Sequence, residues 1–177
     1  MEPRVHVERC VGCRALVLRT DGPTHRYIGA SPGCWAIFCG ILAKEYGEWR
    51  YPPVHRLTVD AYAAQHPGTP SRRSIQSVAV HLISLYLVLE GGYDFGAAAR
   101  AKDRILRHRD HFVWLDPPLS LGKMTVLDVR KAGDLAEHAE LVQRWAGGVW
   151  EAWSPHHDTI RRWAALGALP REGNGDV

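Results

Sequence analysis

Cys10-Val11-Gly12-Cys13 places two thiols on one short turn, with Gly12 giving the backbone freedom to fold tightly. Two thiolates at this spacing can take adjacent corners of a zinc tetrahedron, with Zn–S bonds of about 2.3 Å. The same spacing serves thiol–disulfide exchange, but that chemistry usually sits at a helix N-terminus after a strand. Here the residues that follow, Arg14 to Arg19, read as a strand. Zinc is therefore ranked first, with a redox pair and plain free thiols behind it.

A zinc ion needs two further protein ligands, or one and an open position. Cys34 is the leading third ligand: it follows the loop Ser31-Pro32-Gly33 and falls in the first turn of an expected helix, where the dipole favours a thiolate. The alternative for Cys34 is a small buried apolar residue. Cys39, among Ile37, Phe38 and Ile41, is expected in the core, and His25 on a surface turn.

The chain has ten histidines, and their placement is informative. Ser74, Ser77, His81 and Ser84 recur at helical spacing as one polar stripe on an apolar helix. Leu135, His138, Val142, Trp145, Val149 and Trp153 form an inward stripe that puts His138 in the core. His156 shares a face with Ile160 and Trp163 near a helix start, which also points it inward, and the dipole there favours the neutral, metal-competent imidazole. His66 precedes Pro67 on the face of Val59 and Tyr62. A buried imidazole without a partner costs about 1–3 kcal/mol, so His66, His81, His138 and His156 must meet one another, a carboxylate, water or a metal. Asp60 and Glu90 are the candidate orienting carboxylates.

Positioning these groups requires a fold that is mainly α: a helical bundle with a small N-terminal β-hairpin or zinc-knuckle segment. Val5–Val7 and Ala15–Leu18 read as short strands around the C-x-x-C turn. Helices are expected over Cys34–Tyr46, from a Thr58 cap to His66, from Ser71 to about Glu90, over Asp94–His108, and over Asp134–Trp153. A last helix should open with Ser154 as N-cap and Pro155 at N1. Thr125 and Asp128 suggest a short capping box. Residues 1–169 read as a single metal-binding domain and 170–177 as a disordered tail.

Composition narrows the function classes. With 177 residues, 46% of them hydrophobic, the chain can bury one core. The excess of Lys and Arg over Asp and Glu is 22 − 19 = +3, too small to call for a nucleic-acid partner. No charged leader with an apolar run opens the sequence and no apolar stretch is long enough to span a bilayer, so a cytoplasmic protein with no membrane partner is expected. The basic face at Arg100, Arg104 and Arg107 reads as solvated, and Trp145, Trp150, Trp153 and Trp163 read mostly as core. No G-x-S-x-G, P-loop or dinucleotide fingerprint is present.

Seven blocks occur in a fixed order: Cys10–Cys13, Ser31-Pro32-Gly33-Cys34-Trp35, His55–Tyr62, Gln65-His66-Pro67, Gln76–Leu82, Met124-Thr125-Val126 and Trp150–His157. Together they resemble an uncharacterised bacterial domain-of-unknown-function family over most of the chain. The resemblance implies no established activity. It carries forward Cys10, Cys13, Cys34, His66 and His81. The histidine-bearing bundle is also loosely similar to DinB-like metal-binding four-helix bundles, although their three-histidine spacing is not evident and the cysteines are additional.

The candidate metal ligands are thus Cys10, Cys13, Cys34 and His66, and the candidate acid–base residues are His81, Asp60 and His156. One reading is a closed zinc centre that joins the N-terminal knuckle to the bundle. The other is a zinc-dependent hydrolase or lyase acting on a small-molecule ligand, with one zinc position open to water.

Overall fold

The computed structural model describes residues 6–48, 50 and 52–168. The expected tail at 170–177 lies outside the described residues. The fold is mainly α with a small N-terminal hairpin. No described helix is long and apolar enough to cross a membrane.

Strands β1 (Val7–Arg9) and β2 (Leu16–Leu18) pair antiparallel, Val7 opposite Leu18 and Arg9 opposite Leu16. The hairpin has little to hold it in place. Val17 is buried, whereas Val7, Leu16 and Leu18 are all more than half exposed. A two-stranded hairpin is marginal by itself in water, so this one depends on what its Cys10–Cys13 turn touches.

Helix α1 (Pro32–Gly47) starts with proline in its first turn, where the missing N–H costs nothing. Gly33 is required by close approach, because a Cβ there would run into the Leu18 carbonyl oxygen. Its inward face carries Cys34, Phe38, Ile41 and Glu45. Cys39 points outward and is exposed, contrary to expectation: at one residue past Phe38 it is rotated about 100° from the core-facing stripe.

Helix α2 (Pro52–Gln65) runs through the middle of the fold, and every residue from Asp60 to Pro67 is buried. It packs against α1, α3 (Arg72–Leu89) and α6 (Leu135–Ala152). Thr58 does not cap it. The helix begins earlier, at Pro52, and Thr58 lies inside it, fully buried, donating to Glu45 Oε1 at 2.6 Å. A hydroxyl given a buried carboxylate partner is compatible with a helix interior.

The remaining termini follow their local signals. Ser71 accepts from the Ser74 N–H to cap α3, Asp94 caps α4 (Phe95–Ile105), and Asp134 caps α6. The capping box is real: in α5 (Val126–Val129), the Thr125 N–H donates to Asp128 Oδ2 at 2.8 Å while Thr125 accepts at the helix start. Helix α4 gives way to a 3-10 turn at Leu106–His111, so the regular helix stops short of His108. Ser154 is not an N-cap, since Ser154–His156 form a 3-10 turn that leads directly into α7 (His157–Ala165).

Trp145, Trp150, Trp153 and Trp163 are buried, as their helical spacing predicts. Two of their indoles tie α6 and its end to α2: Trp145 donates to Gln65 Oε1 at 3.1 Å and Trp153 to the Ala64 carbonyl at 3.1 Å. Gln65 in turn donates to the Leu121 and Met124 carbonyls at 2.9 and 2.8 Å, fixing the loop before α5.

Candidate metal centre

Three segments converge on one point. The turn after β1 supplies Cys10 and Cys13, the first turn of α1 supplies Cys34, and the residue following α2 supplies His66. Their four donor atoms lie within 4.8 Å of one another, and all four residues are buried. Cys13 Sγ is 3.8 Å from Cys34 Sγ, and Cys34 Sγ is 3.4 Å from His66 Nε2. For bonds of about 2.3 Å to sulfur and about 2.0 Å to nitrogen, a tetrahedron has edges of roughly 3.5–3.8 Å. The Cys13–Cys34 and Cys34–His66 distances match these edges, and all four donors are close enough together to share one ion.

The turn is built from backbone hydrogen bonds. The Cys10 N–H donates to the Ala15 carbonyl at 2.8 Å, and the Arg14 N–H to the Cys10 carbonyl at 3.1 Å. Arg14 takes up a φ of 65°, the left-handed region that glycine would fill without strain. Gly12 is needed for a different reason: a Cβ there would lie 2.5 Å from both the Gly29 carbonyl oxygen and His66 Cδ2.

His66 is presented in one tautomer. Its Nδ1 lies 2.7 Å from the Tyr62 carbonyl oxygen, which can only accept, so the proton sits on Nδ1 and Nε2 offers its lone pair to the cysteines. Tyr62 also stacks on the His66 ring at 4.0 Å and on Phe38 at 3.7 Å, and its hydroxyl donates to Cys34 Sγ at 3.7 Å. Burial, followed by the nearby Cys34 charge, raises the Tyr62 phenol far above its ordinary range, so it stays a donor.

Without a cation, three thiols this close do not share negative charge comfortably. Hydrogen bonds from Cys13 and then Cys34 hold Cys10 well below the ordinary thiol range. The hydrogen bond to Cys10 pushes Cys13 up to about 12, and Cys34 is raised as well, first by Cys10 and then by Cys13. A divalent ion would relieve this competition by taking all three as thiolates. Among the described residues this is the one group of three or more His, Cys, Asp or Glu side chains placed to hold a metal ion.

The other candidates are elsewhere. Asp60 and His81 are paired with each other, His81 Nδ1 donating to Asp60 Oδ1 at 2.7 Å across the α2–α3 contact. His156 is not an inward residue of the site. It is half-buried and donates through Nε2 to the Asp116 carbonyl at 2.9 Å. The 3-10 turn shifts the register, so it is His157 that is buried, stacked on Trp150 at 3.7 Å. His25 packs its ring against Tyr27 and Trp35 and is outside the donor cluster. Glu90 receives Trp150 Nε1 and Arg161 and orients none of the ligands.

A second buried polar group was not anticipated. Glu45, with a fully buried carboxylate, accepts from His138 Nε2 and Thr58 on Oε1 and from His55 Nδ1 on Oε2, at 2.8, 2.6 and 2.8 Å. The sequence did hold a signal for it, since Glu45 follows Cys34, Phe38 and Ile41 at i, i+4, i+7 and i+11, the spacing of one helix face.

A cleft of about 530 Å³ opens beside the knuckle between Cys13, Arg14 and Gly29 on one wall and Pro117–Gly122 on the other.

Fold and site thus define a helical protein with a three-cysteine, one-histidine cluster, positioned to hold a metal ion, at the foot of an N-terminal hairpin. The chain belongs to the family of unknown function DUF5946, whose sequence profile matches residues 8–154. That span includes all four donors. No curated protein and no solved structure matches the chain.

Proposed function

We propose that the protein binds one zinc ion through Cys10, Cys13, Cys34 and His66, and that the ion is structural, clamping the hairpin onto α1 and α2 within a single domain formed by residues 1–169. The observation that carries this reading is the convergence of four buried donors from three chain segments within 4.8 Å of one another. Three thiolates and an imidazole are a donor set suited to structural zinc, and four protein ligands leave a tetrahedral ion no vertex for water. The hairpin also needs such an anchor, because Val17 is the one strand residue it buries fully. In this reading the Asp60–His81 pair is a hydrogen bond between α2 and α3, and the protein is cytoplasmic.

X-ray absorption at the zinc edge, together with elemental analysis, tests the proposal. One zinc per chain with three sulfurs near 2.3 Å and one nitrogen near about 2.0 Å is expected. A shell with an extra oxygen and one protein ligand fewer would overturn the closed centre in favour of a zinc-dependent hydrolase or lyase. In that case Asp60 and His81 would be the first residues to substitute.

A further inference from the structure

The three cysteines of the cluster are not equally placed toward solvent. Cys13 lines the cleft of about 530 Å³ beside the knuckle and is 8% exposed, whereas Cys10 and Cys34 are 0% exposed and line no part of that cleft. A small solute in the cleft therefore meets Cys13 before either of the others.

Cys13 also has a sulfur partner on another element. Cys34 Sγ lies 3.8 Å from Cys13 Sγ, in the first turn of α1. Closing that gap to a disulfide bond of about 2.05 Å needs a movement of less than about 2 Å. The bond would tie the hairpin covalently to α1. A Cys10–Cys13 bond would close within one turn and tie nothing to α1. Cys10 is moreover fixed through its backbone, its N–H donating to the Ala15 carbonyl and its carbonyl accepting from the Arg14 N–H.

We infer that Cys13 and Cys34 are a peroxide-reactive thiol pair, in which hydrogen peroxide entering by the cleft oxidises Cys13 and Cys34 resolves it as a disulfide. This rests on the zinc centre proposed above, because ligating cysteines are held as thiolates, the form that attacks a peroxide. The Cys13 thiolate attacks one peroxide oxygen, the O–O bond breaks, hydroxide leaves and Cys13 becomes a sulfenic acid. The Cys34 thiolate then attacks the Cys13 sulfur, forming the S–S bond while the S–O bond breaks and a second hydroxide leaves. The two thiolates together lose two electrons to the peroxide, and solvent protons convert both hydroxides to water. Cys10 and His66 remain as the two unaltered donors, too few to retain a zinc ion.

The test treats the zinc-loaded full chain with hydrogen peroxide, in a Cys39→Ser background that removes the exposed bystander thiol. Zinc is counted by elemental analysis beforehand. A chain without zinc would sink the zinc centre, whereas the disulfide map of the same peroxide-treated sample judges the thiol pair by itself. Peroxide should release all the bound zinc, followed with a chromophoric chelator, and peptide mapping without reductant should find Cys13 joined to Cys34. Dimedone present from the start should label Cys13 and suppress the disulfide. Dithiothreitol with added zinc should restore the loaded form. A map dominated by a Cys10–Cys13 bond, dimedone on Cys10 or Cys34 in place of Cys13, or zinc retained under millimolar peroxide would each overturn the inference.

Discussion

Gly12 faces the His66 imidazole so closely that a methyl group on residue 12 would lie 2.5 Å from Cδ2. The turn carrying two sulfur donors and the ring carrying the nitrogen donor therefore fit together only when residue 12 has no side chain. Gly12→Ala should displace the His66 ring or open the turn, weakening zinc by roughly 10–100-fold, the usual cost of disturbing groups that orient a ligand. Competition against a zinc chelator measures this. Parent-like affinity would mean that the ring and the turn are not held in this register.

Zinc affinity should fall as the pH is lowered, with protons released on binding. Cys13, pushed up to about 12, and Cys34, also raised, are protonated at neutral pH in the metal-free cluster and must lose those protons to ligate. Cys10 is lowered and contributes none. About two protons per zinc are expected near pH 7, read from titration heats in buffers of different ionisation enthalpy. Acidification returns the protons and expels the metal. Binding without proton release would contradict the thiol assignment.

Arg14 occupies the left-handed region at φ 65°, so its backbone matters more than its charge. Arg14→Gly should be neutral or slightly stabilising. Arg14→Val should cost about 1–2 kcal/mol and loosen zinc, because a β-branched residue is strained there. Thermal melts of the two variants, with zinc present, separate the contributions.

Glu45→Ala should be the most damaging single substitution away from the cysteines. It strips the partner from His55 Nδ1, His138 Nε2 and Thr58 Oγ1 together. Removing one side of a buried ionisable cluster typically costs about 3–5 kcal/mol, measurable as a shifted urea midpoint. Zinc content at low denaturant should be unaffected, since Glu45 sits at the opposite end of α1 from Cys34.

Much of this was legible in the sequence because the signals were local. The C-x-x-C turn, the helix starts at Ser71 and Asp134, the Thr125–Asp128 box and the inward stripe of His138, Trp145 and Trp153 all depend on spacing within one element. What misled was register. Thr58 looks like a cap until a buried carboxylate on another helix claims its hydroxyl. His156 looks inward until the 3-10 turn at Ser154–His156 hands that position to His157. Glu45 stood on the core face of α1, but its partners come from α2 and α6, and no pattern within one helix can reveal a meeting of three. Cys34 and His66 joined Cys10 and Cys13 as candidates through chemistry and block order, and their meeting depends on how α1 and α2 pack together.

Val17 alone anchors the strands by burial, and that has a consequence for how the hairpin's order is set. A disulfide at this point would make attachment covalent, whereas a bound ion makes it conditional. On the proposed centre, each tenfold rise of free zinc above the dissociation constant adds about 1.4 kcal/mol to the folded state. The order of the hairpin from Val7 to Leu18 then becomes a readout of metal supply.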